Sequence, residues 1–576
     1  MASSTPDISC ILPRLPQELT NAISHYLEGS DLKTLRETCS AMAWAIPLHF
    51  DRVFISSNSL NIQVFKAIAA NETFRHQVTE IIWDDARLFT GPERWQYKDE
   101  WEYHGPEPDM IVTENGCPKW FQKGSSTSDD DWCHLYTFPV ADNHMRLAEC
   151  WDYYKPLLED QRQILATNAD IEAFKYGLQR FTSLKRITIT PAAHGRHGNP
   201  LYRTPMIRAF PPGFDYPIPK AWPTAPMDDS GEWQDELPWI SEEGDAPYQW
   251  FYGTHCTAEK YREKWRGYQL VSRALVECEN QVTELRIGGH EIKSGLSCRI
   301  FDQSCTEYDD LCTLLKRPGF RYLDLDLFTG LIEHDDWATY KTGLLHDALA
   351  QAKDIQHLCV RASTDIEDAF PQQLDPDDLE RPVFPLRTIF PIDHWSRLQH
   401  FGISNFLVEL DDLIDILSAL PSTLRSVELI NLALRNPDHG YDDLVRQMRD
   451  TLDWRSRPAE ERPKVHMVCS GESNCTLVDD EFIEVDDAVC SYLYGDGENL
   501  FEPESSLPSS LLESKIHVID NLLYSGKPFR LGENLRSHGL MVGKPDSIAN
   551  DGPAAVSAFC LVRVKPCQPG TAIKLL

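Results

Sequence analysis

One short hydrophobic signature recurs along this chain: an apolar residue, two others, an apolar residue, one other, and an apolar residue. It is spelled by Val78, Ile81, Trp83; Leu184, Ile187, Ile189; Val282, Leu285, Ile287; Phe320, Leu323, Leu325; Ile355, Leu358, Val360; Leu398, Phe401, Ile403; and Leu424, Val427, Leu429. The last two apolar residues of each set flank a single position, which is the alternation of a half-buried strand. Stretches with helical spacing precede most of the sets, at residues 171–181, 268–278, 308–315, 340–352 and 410–420, and residues 441–452 lead into a further strand expected at 465–468. Helix, turn and strand in repeating order predict right-handed crossovers that stack parallel strands.

A different pattern comes first. From Leu12 to Leu48 the chain reads as three small helices. Pro16 suits a first helical position, and Leu19, Ile23 and Leu27 then recur at helical spacing beside Ala22 and Tyr26. Gly29 and Ser30 end that helix and open the next, which carries Leu32, Leu35, Cys39 and Met42, and Ser40 caps a third segment ending near Pro47. So short a module cannot enclose a large core. Part of its apolar surface is expected to be covered by the rest of the chain or by a partner.

Leu15, Pro16, Glu18, Leu19, Ile23, Tyr26, Leu27, Asp31, Leu32, Leu35 and Cys39 follow in order the pattern of an F-box, which this segment resembles. The basic residues usual after the Cys are replaced by Ser40, Ala41 and Ala43. The resemblance implies docking to the Skp adaptor, and through it to cullin, of a ubiquitin ligase, with Leu15, Pro16, Leu19, Ile23, Leu27, Leu32, Leu35 and Cys39 as the adaptor-binding set. The residues alone also fit an amphipathic helical cap on a larger domain. The recurring strand unit resembles a leucine-rich repeat, although the usual Asn or Cys three residues after the last apolar position is replaced by His290, Phe328, Ser363, Phe406 and Leu432. The intervals are irregular and mostly longer than the usual 20 to 29 residues. An ordinary α/β domain with a parallel sheet remains the other reading. The layout as a whole most resembles fungal F-box proteins.

The expected architecture is therefore α/β: a three-helix F-box-like module at 10–55, an irregular leucine-rich-repeat-like solenoid at 56–470, and a C-terminal capping region at 471–576 that is acidic, then rich in Gly, Pro and Ser. Two long insertions interrupt the array, at about 88–144 and 203–252. The first, with the run Ser125 to Asp131, is expected to be a long exposed excursion. The second holds Trp222, Trp233, Trp239 and Trp250, which either form a recognition surface or, as is commoner, pin the loop to the array. A last strand is expected at Ala558 to Val564.

A chain of 576 residues exceeds ordinary single-domain size, and 42% apolar residues allow a full core. The net charge of −34 would repel nucleic acid and anionic membranes, so neither is expected as a partner. No apolar run behind a basic start suggests a secretion signal, and no apolar span is long enough for a membrane. The 16 cysteines are scattered, which fits reduced thiols in the cytoplasm or nucleus.

The sequence assembles no recognisable catalytic pattern. Cys298, Cys305 and Cys312, with Cys278 and His290, lack a close Cys-x2-Cys knuckle. His194 to His197 reads as a solvated Gly-containing loop. Gly471, Ser473 and Cys475 fail the nucleophile elbow, and the acidic groups at Asp129 to Asp131, Asp375 with Asp377 and Asp378, and Asp479 to Glu481 read as solvated loops. A cysteine nucleophile paired with a distant His stays open. The sequence thus predicts a non-catalytic substrate receptor of a Skp-cullin-F-box ubiquitin ligase that presents an unknown client protein, with no cofactor, metal or catalytic residue. The alternative is a scaffold that docks the adaptor without ubiquitin transfer.

Overall fold

The computed structural model describes residues 15–91, 145–219, 255–288, 294–329, 337–363, 383–470 and 486–499 apart from a few positions, with short pieces within 112–123, 221–249, 481–484, 517–520 and 529–530. Its centre is one sheet. Nine parallel strands are laid side by side in chain order: β1 Arg52–Ile55, β2 Glu80–Asp84, β3 Arg186–Thr190, β4 Glu284–Ile287, β5 Tyr322–Phe328, β6 His357–Ala362, β7 His400–Ser404, β8 Ser426–Ile430 and β9 Lys464–Ser470. The last two residues of every recurring triplet lie on one of them, and the strand expected at 465–468 lies in β9.

The register explains the signature. Ile81, Ile187, Leu285, Leu323, Leu358, Phe401, Val427 and Val465 stand opposite one another across the sheet, and the residues two places on form a second row from Trp83 to Met467. All are buried. A parallel strand cannot close by a hairpin, so the chain must cross back between strands, and helices serve for most of these crossovers.

The helices show one apolar stripe each. In Arg266–Glu277, Tyr268, Val271 and Leu275 are buried; in Leu410–Ala419, Leu410, Leu413, Ile414 and Leu417 are. These stripes and the two strand rows form a single continuous core. Each such Leu, Ile or Val contributes roughly 1.5 to 3 kcal/mol on burial. The chain is thus α/β with a large, mostly parallel sheet.

Several elements go beyond the sequence reading. Phe50, Val53 and Ile55 carry the same signature, and β1 pairs with β2, so the sheet begins inside the segment allotted to the N-terminal module. The longest described helix, Leu147–Thr167, was not anticipated. Its Gln161 brackets the backbone of Leu88, taking the Leu88 N–H at 2.7 Å and donating to its carbonyl at 3.1 Å. Leu88, Cys117, Trp120 and Phe121 are buried against Cys150 and Tyr154 of this helix. Leu88, Cys117, Trp120 and Phe121 of the first insertion are therefore packed rather than part of an exposed excursion, while Val112 is exposed; its run Ser125 to Asp131 lies outside the described residues.

In the second insertion the pinning reading holds for the tryptophans that are described. Trp222 and Trp239 are buried in the main core, the indole N–H of Trp222 donating to Asp85 at 2.8 Å and that of Trp239 to Glu307 at 3.1 Å. Trp233 and Trp250 lie outside the described residues. Beyond β9 the sheet turns antiparallel through Glu481–Glu484, His517–Asp520 and Phe529–Arg530, while helix Asp486–Tyr494 buries Val489 and Leu493. The strand expected at Ala558 to Val564 is outside the described residues.

Candidate functional site

Two regions have the makings of a site. The first is the N-terminal module. Helices Gln17–His25, Gly29–Glu37 and Ser40–Ala45 enclose a small core of Leu32, Met42 and Ile46, with Leu27 and Leu35 partly buried against it. The Gln17 amide donates to the Ala45 carbonyl at 2.8 Å, and Arg36 donates to the Ile46 carbonyl, tying all three segments together. Phe50 joins the module to the sheet, stacking edge-on with Phe74 under the Lys33 ammonium.

The eight residues expected to dock divide between inside and outside. Leu27, Leu32 and Leu35 face the module's own core, Leu15 is half-buried, and Pro16, Leu19, Ile23 and Cys39 are exposed. Leu19 and Ile23 keep 52% and 38% of their surface open, and Tyr26 and Trp44 nearly all of theirs, at 89% and 90%. Four large apolar side chains are thus left partly or largely in water on a small module.

The second region is the face of the sheet opposite the apolar rows. Strand alternation sends every second side chain there, and most of these are polar, with Ile82, Phe328 and Ile430 among the exceptions. Arg52 and Thr188 meet Glu80 at 2.8 and 2.6 Å; Arg186 and Arg321 meet Glu284. Asp324 receives Arg286 at 2.8 Å, the Tyr322 hydroxyl at 2.7 Å and His357 Nε2 at 3.1 Å. Arg361 reaches Asp326 at 3.1 Å and Glu428 at 3.2 Å. The rings of Tyr322, His357 and His400 stack in parallel, 4.0 and 4.1 Å apart, because they hold the same register position on β5, β6 and β7.

Burial and the neighbouring charges together set the ionisation here. It would raise the Asp324 carboxyl, but Arg361, the His357 hydrogen bond and Arg286 outweigh it and hold the group well below the usual carboxylate range. Glu428 likewise falls despite burial, through Arg361 and His400. Burial and the charge of His357 push His400 down to about 4, and burial with Glu428 and Asp324 pushes the Cys359 thiol far up. The face is an array of internally compensated charges, opening at the start of its strands into a shallow cleft lined by Glu284, Arg321, Tyr322, His357, His400 and Ser426.

Of the other residues weighed from sequence, Cys298 and Cys305 are buried in the main core, with Cys278 and Cys312 at its edge. His194 is no solvated loop residue: it is buried, with Nδ1 2.8 Å from the Tyr216 hydroxyl. His197, His290, Gly471, Ser473, Cys475, Asp129 to Asp131, Asp375, Asp377, Asp378, Asp479 and Asp480 lie outside the described residues. The grouping of His357, Cys359 and His400 was missed. Its signal was legible: His357 and His400 each stand directly before the middle apolar residue of a triplet, so stacking the triplets brings them together.

Among the described residues no helix is long and apolar enough to cross a membrane. No protein-family model matches the chain, and no curated protein matches it.

Proposed function

We propose that this chain is the substrate-receptor subunit of a Skp-cullin-F-box ubiquitin ligase: an F-box docks the adaptor, and a leucine-rich-repeat-like solenoid holds a client protein. The observation that carries the reading is the set of exposed apolar side chains on the N-terminal module. Leu19, Ile23, Tyr26 and Trp44 are exposed while Leu32, Met42 and Ile46 close a separate core behind them. A helical module that closes a small core of its own and still presents apolar side chains suits a partner that covers them.

The chemistry of such a receptor is proximity. Holding the adaptor at one end and a client on the sheet region raises the local concentration of a client lysine near the charged conjugating enzyme. Capture of the purified Skp adaptor by the full chain, compared with a Leu19→Asp/Ile23→Asp variant, tests the docking. Equal capture by both, or by neither, removes the reading. Ubiquitin transfer in a reconstituted cullin assembly then separates a ligase receptor from a scaffold that only docks.

A further inference from the structure

On the polar face a cysteine thiol lies between two of the histidines that border its charge ladders. Cys359 Sγ lies 3.5 Å from His357 Nε2 and 3.2 Å from His400 Nε2, and the three donor atoms fall within 4.8 Å of one another. A tetrahedral zinc site with bonds of about 2.0 to 2.3 Å places its ligand atoms at this kind of separation. We propose that His357, Cys359 and His400 bind a zinc-class divalent cation.

Two further features fit. His400 Nδ1 is 2.7 Å from the Ser426 hydroxyl, which fixes the ring and turns Nε2 toward the thiol, as supporting hydrogen bonds do for metal-ligating imidazoles. Gly402 is the register partner of both Cys359 and Glu428, and a Cβ there would come within 2.5 Å of Cys359 Sγ. The missing side chain leaves room for Glu428 to lean across β7. Its Oε2 is already 3.7 Å from His400 Nε2 while its Oε1 stays with Arg361, and Asp324 keeps Arg286 and Tyr322 when His357 Nε2 exchanges its bond to Asp324 for the metal, so Glu428 supplies the fourth ligand. On binding, the sulfur–metal bond replaces the S–H bond and the proton leaves to solvent. The stacked rings must splay, because a metal lies in the plane of each imidazole it binds.

Cobalt(II) is the probe. The full chain, reduced and freed of metal with a chelator, is titrated with Co2+ and then with Zn2+. The expected result is one equivalent of Co2+ with a thiolate-to-cobalt band in the near ultraviolet, bleached by Zn2+ and lost in Cys359→Ser. Ser426→Ala, which keeps all four ligands, weakens binding by about 10- to 100-fold with the band unchanged. That variant also serves if Cys359→Ser fails to fold, as far-ultraviolet circular dichroism would report. Absence of stoichiometric binding, a band that survives Cys359→Ser, or unchanged affinity in Ser426→Ala overturns the site.

Discussion

The side-chain amide of Asn431 donates to the side-chain oxygen of Asn405 at 2.8 Å, and the Asn405 amide donates in turn to the Ala362 carbonyl at 3.0 Å. Both asparagines have left-handed backbones, with φ of 57° at Asn405 and 48° at Asn431, and each stands two residues after the last apolar residue of its triplet. They form a short polar ladder that links the turns after β6, β7 and β8. The position of the leucine-rich repeat's usual Asn falls one place later, at Phe406 and Leu432, which are buried in the core.

Asn405→Ala is expected to lose this bridge and to keep a backbone conformation that alanine disfavours. The first costs about 1 to 3 kcal/mol where a buried carbonyl loses its donor, and the second roughly 1 to 2 kcal/mol. Asn405→Gly removes only the bridge, so it should fall between wild type and Ala in urea midpoint. If Gly and Ala are equally destabilised, the left-handed backbone is not part of the cost.

Arg361 bridges Asp326 and Glu428 with little of any of the three exposed. Arg361→Met would leave two buried carboxylates without their cation, a loss of about 3 to 5 kcal/mol. Arg361→Lys should recover only part, because an ammonium lacks the planar fork that reaches both carboxylates. Full recovery in the denaturation curve would show that charge alone suffices.

Why these features differ in legibility is a matter of range. The triplets were readable because strand alternation is local: Leu285 and Ile287 announce their own strand. The pairing of Arg361 with Glu428 is not local, since it depends on β6 and β8 flanking a strand that carries Gly402 between them. Helix Leu147–Thr167 was hidden by Pro156 in its interior and by widely spaced buried positions, Cys150, Tyr154, Gln161 and Ile164. His194 beside Gly195 read as a solvent turn because its partner Tyr216 lies in a proline-rich segment with no periodicity.

Asp84 gives a pH prediction. It is buried at the end of β2 with Oδ2 unpartnered, and burial raises its carboxyl to about 8 from an ordinary 3.8. Between those values the folded chain holds a proton that the unfolded chain has lost. Its contribution to stability is therefore full below pH 3.8 and declines by about 1.4 kcal/mol per pH unit up to pH 8. His194 acts in the other direction: burial lowers it to about 3, so it costs stability only as pH falls below its ordinary 6.5. Between pH 6.5 and 8 the Asp84 effect stands apart from that of His194, and Asp84→Asn should flatten the slope of the urea midpoint there and raise the midpoint at pH 8. A variant with the wild-type slope would mean that Asp84 is ionised in the folded chain.

Under the proposed function, folding and docking of the N-terminal module are separable by substitution. Leu32 is buried among Met42 and Ile46, so Leu32→Ala removes contacts that neighbouring side chains cannot refill, at a cost of about 2 to 5 kcal/mol. In a core this small such a loss should open the module locally, and hydrogen exchange across residues 17–45 would accelerate while β2 to β8 stay protected. Leu19 and Trp44 are mostly in water already, so Leu19→Ala with Trp44→Ala should change stability by no more than about 0.5 kcal/mol each. The same pair should nonetheless lose adaptor capture, because a partner that buries those side chains gains their transfer energy only when they are present. Lost capture with native exchange in the surface pair, beside lost capture with accelerated exchange in Leu32→Ala, is the pattern of a docking face built over its own core. Capture that follows exchange protection alone would instead make the exposed residues incidental.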